Sequence, residues 1–233
     1  MVFTTKHTKK IRMKIILLSF FCVTFSISSL AQDKKLYETE FYRNRMAQFA
    51  SEPLEKHQIV FLGNSLTQGG KWNEYFPEKN TANRGIIGDN TDGISARLDE
   101  VIESRPKKLF ILTGVNDVSQ NYNNDYICNN LMLIIRRVKT ESPATVIYMQ
   151  SLLPINNSFG RYKKLIKKEK QIEKLNKQIA KLCKTENILF INLYPSFLIE
   201  KRLLDPKYTT DGLHLNEEGY KIWVDEIRKF VEE

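Results

Sequence analysis

The segment QIVFLGNSLT, residues 58–67, is the most informative part of this chain. An unbroken apolar run of this length predicts a strand that is buried on both faces of a sheet. Gly63 ends the run, and Ser65 follows two residues later, where a helix is expected to begin. The segment therefore predicts a serine hydroxyl presented at the carboxyl end of a buried strand.

Four further strands are predicted by shorter or similar apolar runs. These runs are 81–84, 108–113, 145–149 and 188–192. Residues at helical spacing separate them, at 94–102 behind a Thr91 cap, at 131–138 and at 172–182, with a first helix at about 35–50 and a last one after Asn216. Strands that alternate with helices predict an α/β fold, with a parallel sheet covered by helices on both faces and ligands at the carboxyl ends of the strands.

The composition fits one folded domain and does not single out a nucleic-acid partner. The 233 residues are 42% hydrophobic and 27% charged, with a formal charge of +9. Five of the 36 basic residues precede position 32 with no acidic residue among them, so the rest carries 31 basic against 27 acidic residues. The lysine-rich stretch 163–184 is interleaved with Glu169 and Glu173, which indicates a solvated helix face. We expect no nucleic-acid partner.

The first 31 residues have the form of an export signal. A basic segment from Lys6 to Lys14 precedes an apolar stretch, 15–27, and Ser29-Leu30-Ala31 fits a cleavage site. We predict a signal peptide at 1–31 and a periplasmic or secreted domain at 32–233, with no stable membrane insertion after cleavage. An uncleaved anchor is the alternative, although the apolar stretch is short for a bilayer. Translation could start at Met1 or at Met13.

Few metal ligands remain once the signal is removed. The domain keeps two cysteines, Cys128 and Cys183, and two histidines, His57 and His214. A zinc site would need carboxylates for most of its ligands, which zinc rarely accepts. We expect no metal and no cofactor, and buried thiols in two helices are favoured over a disulfide.

A second polar constellation, Asp211-Gly-Leu-His214, lies between the last strand and the last helix. In a tight turn this spacing lets the carboxylate hold one ring nitrogen, which leaves the other free to take a proton from a serine. His57 precedes the first strand and is expected at the opposite edge of the sheet. His214 is therefore the candidate general base, and a histidine that caps the last helix is the alternative.

Two further strand ends supply hydrogen-bond donors. NRGIIGDNT, residues 83–91, contains a glycine turn, and TGVND, residues 113–117, contains an asparagine. A glycine N–H and an amide side chain can stabilise a developing oxyanion without adding a charge. A phosphate-binding loop is the competing interpretation of the glycines near Ser65, but the Gly-Lys-Ser/Thr spacing is absent there.

The four blocks GNSLT, NRGIIGDNT, TGVND and DGLH occur in the order that resembles SGNH or GDSL-type hydrolases, a lipase and acylhydrolase family. The similarity is greatest to the branch of platelet-activating-factor acetylhydrolase catalytic subunits and bacterial acetylesterases. It implies a three-layer α/β/α, flavodoxin-like fold with five parallel strands. It also implies Ser65 as nucleophile with Asp211 and His214, and an oxyanion hole formed by the Ser65 and Gly88 N–H groups and the Asn116 amide. Asn64 departs from the aspartate usual in the family.

The expected function is an exported serine esterase that acts on short-chain esters. The segments 120–126, 153–161 and 196–210, expected around the site, are rich in polar side chains. A polar rim favours a small acyl group, such as acetyl, on a small-molecule or glycan alcohol. Arg84 and Arg161 are candidates to pair with an acidic sugar. A lysophospholipase or thioesterase of the same family, or an O-acyltransferase, remains an alternative.

Overall fold

The apolar runs form one sheet in the computed structural model, which describes Met1 and residues 39–233. The strands are β1 Ile59–Gly63, β2 Thr81–Gly85, β3 Lys108–Leu112, β4 Val146–Gln150 and β5 Leu189–Ile191. Their order is β2-β1-β3-β4-β5, and every neighbouring pair is parallel. The predicted α/β class and five-stranded parallel sheet are confirmed, and each strand lies within one residue of its predicted bounds.

Helices connect the strands. They are α1 Glu40–Ser51, α2 Ser65–Gln68, α3 Trp72–Tyr75, α4 Thr91–Ala96, α5 Leu98–Ser104, α6 Val115–Ser119, α7 Asn124–Glu141, α8 Glu169–Glu186 and α9 Glu217–Glu232. The start of the predicted helix at 35–50 lies outside the described residues. The run at 94–102 is two helices that meet at Arg97, and the cap before them is Asn90 rather than Thr91, since the Asn90 side chain accepts from Gly93 N–H at 2.9 Å.

Alternate strand residues pack into two different apolar layers. Val60 and Leu109 lie in the layer that includes side chains of α4, α5, α7 and α8. Phe61 and Phe110 lie in the opposite layer with Trp72 and side chains of α9, and their rings stack at 4.9 Å. The sheet is therefore covered on both faces, which makes three layers.

Most of the lysine-rich stretch 163–184 lies in α8, which has the predicted solvated face, whereas 163–165 form a separate 3-10 turn. In α8, Ile172, Leu175 and Ile179 are buried, whereas Lys174 and Lys181 are exposed. Within residues 39–233 the cysteines are Cys128, which is half-buried, and Cys183, which is buried as predicted, and both are free thiols. None of the helices within residues 39–233 is long and apolar enough to cross a bilayer.

A short antiparallel ladder, β6 Leu198–Ile199 with β7 Leu203–Leu204, was not predicted. It follows β5 in the segment that the sequence indicated only as polar rim. Leu204 N–H donates to Ile155 O at 3.2 Å, so this ladder is attached to the loop that leaves β4. Lys34–Glu233 forms one compact unit.

Candidate functional site

Ser65 begins α2 directly after β1, as the sequence predicted. The buried Asn64 side chain caps this helix by accepting from Leu66 N–H at 3.0 Å. A Cβ on Gly63 would lie 2.3 Å from Leu112 O, so only glycine allows β1 to end this close to β3. The close approach of β1 and β3, rather than a positive φ angle, requires glycine at position 63.

Asn83, at the end of β2, holds the turn that follows Ser65. Its amide nitrogen lies 2.9 Å from Thr67 O, 3.1 Å from Gln68 O and 2.9 Å from Gly70 O. Its side-chain oxygen accepts from Gly85 N–H at 2.9 Å. One asparagine therefore fixes α2 against the neighbouring strand, a role that its place in the NRGIIGDNT block did not by itself indicate.

Asp211 and His214 lie in a tight turn before α9. The Asp211 Oδ1 atom accepts from the backbone N–H groups of Leu213 at 2.9 Å and His214 at 2.8 Å. Thr209 Oγ1 donates to His214 O at 2.6 Å and accepts from Gly212 N–H. The turn is thus held by side chains of its own segment, which orients the imidazole.

The structure joins the three residues in one chain of hydrogen bonds. Ser65 Oγ lies 2.9 Å from His214 Nε2, and His214 Nδ1 lies 2.8 Å from Asp211 Oδ2. Burial opposes ionisation of Asp211, but the hydrogen bonds donated by His214, Leu213 and Tyr162 outweigh it and hold the pKa of this carboxyl well below its usual range. Asp211 is therefore a carboxylate that can fix the imidazole tautomer.

The predicted oxyanion donors Gly88 and Asn116 are brought together at the same sheet edge. Asn116 Nδ2 donates to Asp89 O, the carbonyl of the residue after Gly88, at 2.7 Å. Gly88 has φ +80°, a left-handed conformation that other residues rarely adopt. The Gln68 side chain accepts from Ile87 N–H at 2.9 Å, which ties this turn to the helix of Ser65. Within residues 39–233 the N–H groups of Ser65 and Gly88 have no acceptor.

Two buried carboxylates support this turn. Asp89 pairs with Arg97 at 2.8 Å, and Arg97 also donates to Gly63 O at 3.0 Å. Asp117 accepts from the hydroxyl and the N–H of Thr91. Burial raises the pKa of each carboxyl to about 6, although hydrogen bonds oppose the shift. Asp89 lies in the block NRGIIGDNT and Asp117 in the block TGVND. Their place in these blocks was the sequence signal that could have identified them as residues that support the site.

Tyr162 also contacts the site, which the sequence analysis did not anticipate. Its hydroxyl lies 2.8 Å from Asp211 Oδ2 and 2.9 Å from His214 Nδ1. Tyr162 belongs to a loop between β4 and α8, 49 residues before Asp211, and nothing local in the sequence distinguishes it from other rim residues.

The other charged candidates are placed differently. Arg84 is buried and bonded to Glu100 and to backbone carbonyls of Glu52 and Asn83, so it cannot meet an acidic sugar at the site. Arg161 is exposed, next to Tyr162. His57 is exposed before β1, at the opposite edge from Ser65, as predicted.

A sheet of this order, with Ser65, His214 and Asp211 joined beyond its carboxyl ends, has the fold of an SGNH hydrolase. The sequence model of the GDSL-like Lipase/Acylhydrolase family matches residues 61–222, and the chain belongs to that family. Acyl-ester hydrolysis is the general reaction of the family.

Known proteins agree with this assignment. The human platelet-activating factor acetylhydrolase IB subunit alpha1 is 26% identical over 179 residues, which cover 74% of each chain. A GDSL-like lipase from Bacteroides thetaiotaomicron superimposes with a TM-score of 0.72 and 28% identity over 82% of this chain and 97% of that one. The acetylxylan esterase Axe2 from Geobacillus stearothermophilus has the same fold, with a TM-score of 0.62 and 18% identity over 76% of this chain and 95% of its own.

Proposed function

We propose that this protein is an exported serine esterase that hydrolyses short-chain esters, O-acetyl groups on carbohydrate above all. The observation that carries the reaction type is the hydrogen-bonded chain from Ser65 through His214 to Asp211. In this arrangement the serine hydroxyl meets a base whose other ring nitrogen is held by a carboxylate.

In the first half of the proposed reaction, Ser65 Oγ attacks the acyl carbon while His214 Nε2 takes the hydroxyl proton. The tetrahedral oxyanion accepts from the N–H groups of Ser65 and Gly88 and from the Asn116 amide. The intermediate then collapses, the bond to the alcohol breaks, and His214 returns its proton to the leaving alcohol.

In the second half, water attacks the acyl group on Ser65. His214 removes a proton from that water, and the same three donors hold the new oxyanion. Collapse breaks the bond to Ser65 Oγ, which recovers its proton from His214. The products are the free acid and the regenerated Ser65 hydroxyl, and no step changes an oxidation state.

The preference for a small acyl group on a polar alcohol rests on the surroundings of the site. Exposed polar side chains occur near it, among them Gln120, Asn121 and Arg161. The acetylxylan esterase with the same fold acts on an acetylated glycan, which supports the same class of substrate here. Part of the predicted polar rim serves the fold instead, since the Asn156 amide donates to Leu204 O.

One observation favours the alternative of a lysophospholipase or thioesterase. Ile87, beside Gly88, and Phe159, whose ring approaches Gly212, are exposed by 50% and 38%. Apolar side chains at the mouth of a site can contact a longer acyl chain. An O-acyltransferase would use the same polar groups, with an added alcohol in place of water.

The test is hydrolysis of p-nitrophenyl esters with acyl chains of two to twelve carbons, by the wild type and by Ser65→Ala. We expect a short-chain optimum and a loss of about 10⁴-fold or more in Ser65→Ala, as in other serine triads. Ser51→Ala is the control, because Ser51 is exposed on α1 and its hydroxyl, within residues 39–233, bonds only to Gln48 O.

Each other outcome has a definite meaning. Full ester hydrolysis by Ser65→Ala would contradict the proposed mechanism. An optimum at long chains would keep the mechanism and establish the lipid-directed alternative. Product that forms only when an alcohol is added would establish the transferase.

A further inference from the structure

Tyr162 occupies an unusual position beside the proposed catalytic residues. Its hydroxyl donates to Asp211 Oδ2 at 2.8 Å and lies 2.9 Å from His214 Nδ1, the atom that also faces Asp211. The two rings meet edge to face, with centroids 5.7 Å apart. The hydroxyl, the carboxylate oxygen and the ring nitrogen therefore form a closed triangle of polar atoms.

The protonation states of Asp211 and Tyr162 determine which group donates and which group accepts in each hydrogen bond. Asp211 is ionised, so it can only accept. Burial and the bond to Asp211 raise the pKa of Tyr162 to about 12, which keeps the phenol a donor. When Tyr162 donates to Asp211, its oxygen can still accept a share of the His214 Nδ1–H.

The loop that carries Tyr162 is hydrogen-bonded to the turn that carries Asp211 and His214. Asn156 N–H donates to Gly212 O at 2.8 Å. The Asn157 amide donates to Leu165 O at 3.0 Å, and Leu165 itself is buried in the core. The loop is therefore held by hydrogen bonds at residues 156–157 and at Leu165, on both sides of Tyr162, and these bonds fix the position of the Tyr162 hydroxyl.

We propose that Tyr162 is a positioning residue that acts through Asp211 and His214. Its hydroxyl donates to the Asp211 carboxylate and shares the Nδ1–H of His214, and it thereby weakens the hydrogen bond by which the carboxylate stabilises a proton on the imidazole. A carboxylate that already accepts a bond from tyrosine is a weaker acceptor for the imidazolium. Tyr162 thus favours the neutral imidazole, the form able to take the Ser65 proton.

The charged groups around the triangle are few. Asp211 and Arg161 are the ones that act on the Tyr162 hydroxyl, with opposite effects. Ser65 is the polar side chain that meets the other ring nitrogen of His214. Removal of the hydroxyl alone therefore leaves the Asp211 carboxylate as the partner of Nδ1.

The first test is a titration that needs no substrate, because the inference rests on the proposed esterase function. We would follow the histidine ring signals of the full chain by NMR, in the wild type and in Tyr162→Phe, and assign His214 with a His214→Gln variant. We expect the titration midpoint of His214 to move to higher pH in Tyr162→Phe, because the carboxylate that faces the imidazole loses one donor and becomes a stronger acceptor. The exposed His57 should titrate identically in both.

The second test is the pH profile of kcat/KM on p-nitrophenyl acetate. In Tyr162→Phe the acid limb should move to higher pH by a similar amount, so that activity is lost below the midpoint, while the plateau and KM stay close to those of the wild type. Tyr194→Phe is the matched control, since Tyr194 is a buried tyrosine whose hydroxyl bonds to Arg202 O and does not touch the site.

The outcomes separate this inference from the proposed function. An unmoved or lowered His214 midpoint overturns the inference even if Tyr162→Phe is less active or melts earlier, because a merely structural role would not set the midpoint. A raised midpoint in a chain that hydrolyses no ester supports the inference and rejects the esterase. Phenylalanine keeps the ring and its packing, and a thermal melt checks that the variant folds.

Discussion

Asn116 shows how one side chain can be oriented by the fold and still be available for chemistry. One N–H of its amide is used by Asp89 O, at 2.7 Å. Within residues 39–233 this bond to Asp89 O is the one hydrogen bond that the Asn116 amide nitrogen makes. An amide fixed in this way costs little reorganisation when charge develops on a substrate oxygen.

We therefore predict that Asn116→Ala lowers kcat by about 10²-fold to 10³-fold, the cost of one lost oxyanion donor, with little change in KM. Steady-state kinetics on p-nitrophenyl acetate would measure it. Asn124→Ala is a control on α7, where the Asn124 amide donates to Gln171 O and to the Gln178 side chain of α8. A raised KM at an unchanged kcat would contradict the role, because it would show ground-state binding only.

At the scale of elements, the buried Asp89–Arg97 pair ties three parts of the fold together. Arg97 lies where α4 meets α5, Asp89 lies in the turn after β2, and Arg97 also donates to Gly63 O at the end of β1. Both side chains are almost completely buried, with exposed fractions of 1% and 0%. Removal of the guanidinium would leave the carboxylate buried without its partner.

We predict that Arg97→Met lowers the free energy of unfolding by about 3 to 5 kcal/mol, the usual cost of breaking a buried ion pair on one side. Urea unfolding would measure it. Arg137→Met is the control, because its pairs with Asp99 and Glu141 are exposed to solvent and should contribute little to the free energy of unfolding. If the two variants were equally stable, the pair would not hold these elements together.

The elements were predictable wherever burial leaves a pattern in the sequence. β1 and β3 are buried on both faces, so their apolar runs marked them within a residue. The break at Arg97 and the β6–β7 ladder were not predictable, because each depends on contacts with distant segments. An arginine at a helix junction looks like any surface arginine until its buried partner is known.

At the scale of the whole molecule, the site is assembled from distant parts of the chain. Ser65 and His214 are 149 residues apart, and parallel strands bring them to one edge of the sheet. The motifs identified both residues because each follows a strand and because serine and histidine can act as nucleophile and general base. Tyr162 was missed because its role exists only through the packing of its loop against the Asp211 turn.

The compact unit from Lys34 to Glu233 contains Ser65, Asp211 and His214, and the predicted cleavage site precedes it. If residues 1–31 are an export signal, neither folding nor activity requires them. We predict that the full sequence, expressed in a Gram-negative host, yields a periplasmic or secreted protein that begins at Gln32. Its activity and melting temperature should equal those of a chain that is expressed from Gln32.

Intact mass and N-terminal sequencing of each cell fraction would test this prediction. An Ala31→Arg variant is the control for cleavage, because a large charged residue should block the small-x-small site and shift the product to the longer, membrane-associated form. Starts at Met1 and Met13 give the same mature protein, so the result does not depend on which is used. A full-length wild-type chain in the membrane fraction would establish the uncleaved anchor instead.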